Sequence, residues 1–178
     1  MRRAPATWSG RRSGSAPRRG TVSFPTSTKN AAAQAEFERG LAALHSFWYE
    51  EAAKAFQRAQ QLDPQFAMAY WGEAMTYNEP VWFAQDLDSG RAALKRLPVK
   101  APTAREQAYV HAVEVLYGSG TKEDRDFEYA TAMRRLYENH PDDHEAAAFY
   151  ALALLTAERL GDDQAAAAFR ACTRAARA

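Results

Sequence analysis

The stretch HPDDHEAAAFY, residues 140–150, gathers His140, Asp142, Asp143 and His144. Imidazoles and carboxylates are zinc ligands, so one reading is a helical metal-binding protein or an enzyme using His140 and His144. Pro141 places a helix start between the two histidines, so they do not share one helix face. His144-Glu145 is followed by Ala148, which leaves the zinc-protease pattern without its second histidine. The other reading is electrostatic. Carboxylates just before a helix satisfy orphan N–H groups and oppose the positive end of the helix dipole, so Asp142 or Asp143 is expected as a cap.

The remaining reactive side chains are scattered. Cys172 is the single cysteine, so no intramolecular disulfide is expected, and its alanine-rich setting suits a small packed residue. Gly118-Ser119-Gly120 has neither the lysine nor the spacing of a phosphate loop. His45 and His111 fall on helical stretches without carboxylates three or four residues away, apart from Glu114 beside His111. No catalytic residue, metal ligand or cofactor is expected from these patterns.

What must position any site is a run of helices. AAAQAEFERGLAALHSF comes first, then YEEAAKAFQRAQQL, stopped by Asp63-Pro64 because proline biases its predecessor away from the helical region. FAMAYWGEAMTY is third and LDSGRAALKRL fourth. Thr103 and Glu106 form a capping box for the fifth, which ends at Gly118, and Thr121 to Asp124 opens the sixth. The seventh, HEAAAFYALALLTAERL, runs to Gly161, and Asp162 or Asp163 caps an eighth. No period-two alternation is sustained, so the fold class is all-α without a sheet. Helices this short need partners for their apolar faces, and short connections favour antiparallel pairs.

In the second helix Tyr49, Ala52, Phe56 and Ala59 fall at steps of three, four and three, with Pro64 five further on. This spacing, with Gly40 upstream, resembles the tetratricopeptide repeat, a helix–turn–helix unit of about 34 residues. The next unit places Tyr70, Ala74 and Tyr77 at family positions. Later units place Met133, Leu136 and Ala151. Arg39 stands where the family has leucine, Ala43 where it has tyrosine, and Gly72 sits two residues early. The text from Gly40 to Trp82 looks like the opening repeats of longer bacterial tetratricopeptide proteins.

The resemblance implies an α-solenoid of about four antiparallel helix pairs over residues 31–178. Gly40, Ala52 and Ala59 would let helix axes approach, and Phe56 would fill the space between pairs. It also implies a concave groove at Gln34, Phe37, Leu41, Leu44 and His45, then Met68, Trp71, Met75, Asn78 and Glu79. That groove would suit an apolar or amphipathic protein segment. It lacks the Lys and Asn set that family members use on a C-terminal carboxylate. Most of the dense aromatic set Phe47, Trp48, Tyr49, Tyr70, Trp71, Tyr77, Trp82 and Phe83 is expected in the core.

Charge is unevenly distributed. The 178 residues carry a formal +1, but residues 1–30 hold seven of the 23 basic residues and none of the 22 acidic ones, leaving −6 for the rest. A mildly acidic folded part argues against a nucleic-acid footprint over the domain. Residues 1–30, rich in Arg, Ser, Gly, Pro and Thr, are expected to be a disordered basic tail. Such a tail fits a solvated arm, a basic arm for nucleic acid or acidic membranes, a targeting peptide, or the product of an unused upstream start. No apolar run approaches the ~18 residues of a membrane span, and no secretory signal is seen, so a cytoplasmic setting is the default expectation. The expected function is a non-catalytic scaffold that holds a protein or peptide. A further alternative is an incomplete member of a longer repeat protein, in which Ala165, Ala168, Phe169, Cys172 and Ala176 of the C-terminal helix form an edge that drives self-association.

Overall fold

The computed structural model describes residues 22–156, which form seven α-helices and one two-stranded ribbon. Helix α1 spans Ala31–His45, α2 Tyr49–Leu62 and α3 Ala67–Met75. Then come β1 (Asn78–Glu79), a 3₁₀ turn (Pro80–Trp82) and β2 (Ala84–Gln85). Helices α4 (Leu87–Lys95), α5 (Ala104–Leu116), α6 (Lys122–Asn139) and α7 (His144–Leu154) follow. No helix among the described residues is long and apolar enough to cross a membrane. The eighth helix and its apolar edge, expected from the sequence, lie outside the described residues.

Short polar side chains set most helix starts. Asn30 accepts from the N–H groups of Ala32 and Ala33, Thr103 from Glu106, and Thr121 from Asp124. Asp143, rather than Asp142, caps α7 by accepting from Glu145 and Ala146. Each of these bonds satisfies a donor that the helix itself leaves orphaned.

Except for α4 and α5, helices consecutive in sequence pack as neighbours in space. Helix α2 lies against α1 and α3, α4 against α3, and α6 against α5 and α7, while α3 also touches α1 and α5. Phe56 of α2 shows how close the first three helices come. Its ring is fully buried between Gly40 of α1 and Gly72 of α3. A Cβ on Gly40 would sit 2.8 Å from Phe56 Cε1, and one on Gly72 would overlap the same ring. Gly72, out of place by the repeat spacing, therefore does the same work as Gly40 from the opposite side. Ala52 and Ala59 are fully buried on the same helix.

Glu73, only 1% exposed, ties α2, α3 and α4 together. It accepts from Gln57 Nε2 at 2.9 Å, Gln60 Nε2 at 2.6 Å and Arg96 Nη2 at 2.6 Å. A buried carboxylate without such donors would be strongly destabilising.

Two features depart from the sequence-based expectations. Residues 22–30, assigned above to the tail, pack against the helices: Phe24 is fully buried and Asn30 caps α1. One aromatic is enough to anchor an otherwise polar segment in an apolar pocket, and composition averaged over thirty residues does not register it. A small antiparallel ribbon also exists, pairing Asn78 with Gln85 and Glu79 with Ala84. Two residues per strand are too few to register as alternation.

The array is curled. His45 Nε2, at the end of α1, lies 2.6 Å from Glu145 Oε2 on α7, and the His45 and Phe149 rings are 5.3 Å apart. A straight row at about 8–10 Å per helix would separate the first and fourth of alternate helices by some 25–30 Å.

Candidate functional site

The expected groove divides into a covered half and an open half. Phe37, Leu41 and Met68 are fully buried, and Trp71 is 1% exposed. Trp71 is enclosed by Phe24, Tyr109 and Phe149, with ring centroids 6.1, 5.3 and 5.4 Å away. These four residues are core side chains. The open half comprises Leu44, His45, Met75 and Asn78, which the curl brings together with Phe149 and Leu152 around a cavity of about 180 Å³. Leu44, Met75 and Asn78 are largely buried in its walls, while His45 is exposed at the rim.

Beside this cavity lies an aromatic ledge. Phe47, Trp82 and Phe83 are 40%, 58% and 61% exposed. Trp82 meets Phe47 and Tyr49 edge-on, at 5.7 and 6.2 Å between centroids. The ribbon presents Trp82 and Phe83 outward and is itself fixed at its base. Asp86 N–H donates to Tyr77 O at 2.9 Å, and Arg125 Nη2 donates to Gln85 Oε1 at 2.7 Å. Sequence density flagged these aromatics but assigned most of the set to the core; the exposure of Trp82 and Phe83 is set by a four-residue bend between β1 and β2, which has no periodic signature.

Phe47 and Phe83 carry left-handed backbone, with φ of 58° and 54°. For a residue with a Cβ this conformation costs about 1–2 kcal/mol. Strain at two exposed phenylalanines, one in contact with Trp82 and the other next to it in the chain, is retained where the surrounding structure overrides it. Tyr49 also lines the cavity, and its hydroxyl is buried with no hydrogen-bond partner among the described residues. Burial, with the charge of Glu79 adding to it, pushes its pKa up to about 12, so the phenol stays protonated and able to donate. Glu50, Glu79 and Asp86 line the neighbouring depression and give this side of the ledge an acidic border.

The histidine–aspartate cluster has another use. Asp143 Oδ2 accepts from Arg105 Nε at 2.6 Å and from Tyr109 Oη at 3.0 Å, while Oδ1 caps α7. Burial raises the Asp143 pKa, but the Arg105 hydrogen bond and charge, the cap and the Tyr109 bond outweigh it and leave the net shift downward. His144 is exposed, and no group of three His, Cys, Asp or Glu side chains among the described residues is placed to hold a metal ion.

Comparison with known proteins finds no matching family model, no matching curated protein and no matching solved structure.

Proposed function

We propose that this chain is a non-catalytic interaction scaffold built from tetratricopeptide-like helix pairs, and that the ledge with its adjoining cavity takes an amphipathic protein segment. The observation that carries this reading is the exposed Phe47–Trp82 pair beside an open apolar cavity, with exposed Phe83 next in the chain and both phenylalanines held in costly backbone. Aromatic anchors in such a setting dominate interface energetics. The Gly40–Phe56–Gly72 sandwich and the sequential packing of α1, α2 and α3 support the repeat-type architecture.

The acidic border selects the partner's charge. Glu50, Glu79 and Asp86 favour a segment with an apolar face flanked by Lys or Arg, and like charge would oppose an acidic one. The partner is therefore a basic amphipathic helix with one large apolar side chain for the cavity.

The test uses an 18-residue Leu/Lys amphipathic peptide as probe and its Leu/Glu counterpart as control, each titrated into the full chain. Tryptophan emission should shift to the blue with the basic peptide, because Trp82 leaves water, and should stay unchanged with the acidic one. Equal responses, or no response to either, would overturn the assignment.

A further inference from the structure

Residues 22–28, VSFPTST, form neither helix nor strand, bend at Ser27, and are held against α1 and α5 by side chains of both helices, as a bound peptide would be. The main chain is gripped by side chains. Gln34 Nε2 of α1 donates to Phe24 O at 2.8 Å, Arg105 Nη1 of α5 donates to Pro25 O at 3.1 Å, and Ser27 N–H donates to Glu106 Oε1 at 2.7 Å. Glu106 is 1% exposed, so its carboxylate is a built acceptor inside the fold rather than a surface group.

One side chain is the anchor. The Phe24 ring sits among Phe37, Trp71 and Tyr109 at centroid distances of 5.4, 6.1 and 5.2 Å, with the Arg105 guanidinium 4.1 Å above it. Three kinds of contact thus converge around one aromatic: an apolar cage, a cation over the ring, and main-chain bonds at Phe24 itself and at the residues that follow it. Pro25 follows directly and suits extended backbone. Thr26 Oγ1 then bonds Gln34 Oε1 at 2.5 Å, and Thr28 Oγ1 bonds Asp63 Oδ2 at 2.6 Å.

Main-chain bonds made by side chains accept any extended peptide, while the cage and the two hydroxyl contacts read sequence. We propose that this channel is a second peptide site, distinct from the ledge, which recognises in trans an extended partner segment of the pattern Phe-Pro-Thr-x-Thr, and that residues 22–28 are its occupant in cis. Exchange of the cis segment for the partner segment then sets the affinity the partner experiences, since a tethered occupant competes at high effective concentration. The ledge lies on a different part of the surface, so failure of either site leaves the other standing.

The segment is joined to α1 through exposed Lys29 and the cap residue Asn30, so the chain can be cut between the two without touching either the segment's contacts or the helix. A site-specific protease sequence placed at Lys29 lets the full chain fold intact before it is cut. After cutting, fluorescein-labelled VSFPTST should exchange into the protein with a rise in anisotropy and no loss of helical circular dichroism. Unlabelled VSAPTST should compete about thirtyfold less well, the effect of removing an aromatic hot spot. The uncut chain should take up the labelled peptide at least about tenfold less well than the cut one. Loss of helicity once residues 1–29 are removed, no uptake of peptide after their removal, or equal competition by VSAPTST would overturn the proposal and make Phe24 an ordinary core residue. A concentration-dependent dimer of the uncut chain, abolished by Phe24→Ala, would make a second copy the occupant and overturn the partner assignment.

Discussion

Phe56 and its two glycines set the local stability of the first three helices. Truncating a fully buried Phe costs about 3–5 kcal/mol, so Phe56→Ala should lower the denaturant midpoint accordingly. Gly72→Ala inserts a methyl group against the same ring and should cost about 1–3 kcal/mol by overpacking. The double variant should cost clearly less than the sum, because removing the ring makes room for the methyl. Simple additivity in denaturant melts would show that the sandwich is not the cause. Asp143 supplies a pH signature. Its folded pKa lies below the unfolded value, so its stabilisation is present above the usual carboxylate pKa, about 3.9, and fades as pH falls through the folded value. Asp143→Asn should therefore lower stability at pH 7 by about 1.5–3 kcal/mol and flatten the acid limb of the stability–pH curve. An unchanged acid limb would assign that limb to other carboxylates.

At the scale of elements, the ribbon spends stability on presentation. Phe83 contributes an exposed ring and a left-handed backbone, so Phe83→Gly should raise stability by about 0.5–1 kcal/mol while weakening capture of the basic probe peptide. A destabilised Phe83→Gly would mean that the ring packs more than it presents. Helix boundaries were legible where Asp63-Pro64, Thr103, Thr121 and Asp143 act through neighbours one to three residues away, whereas Asn30, which caps α1, was hidden in the basic tail. The Phe56 core position was legible from its spacing to Ala52 and Ala59. Phe24 was not, since its cage is assembled from Phe37, Trp71 and Tyr109, up to 85 positions further on. Of the groove set, Leu44, His45, Met75 and Asn78 do meet at one cavity, but local spacing carries no information on what covers Phe37 and Trp71.

The whole molecule is defined by the return of α7 to α1. Trp71 at the centre touches Phe24, Phe37, Tyr109 and Phe149, so α1, α3, α5 and α7 meet in one aromatic cluster that residues 22–28 complete. Spin labels on Ser46→Cys and His144→Cys, in a Cys172→Ser background, should report a separation below about 20 Å, against the 25–30 Å of an uncurled row. The curl also creates the cavity, since Leu44 and His45 come from α1 and Phe149 and Leu152 from α7. Partner binding at the ledge beside that cavity is the central claim, and calorimetric titration of the Leu/Lys peptide into the wild-type chain and into Trp82→Ala tests it most directly. Trp82 is 58% exposed, so its removal should leave the thermal melt within about 0.5 kcal/mol of wild type while weakening binding by about 2 kcal/mol. Equal affinity of the two proteins, or a loss of binding matched by a loss of folding stability, would contradict it.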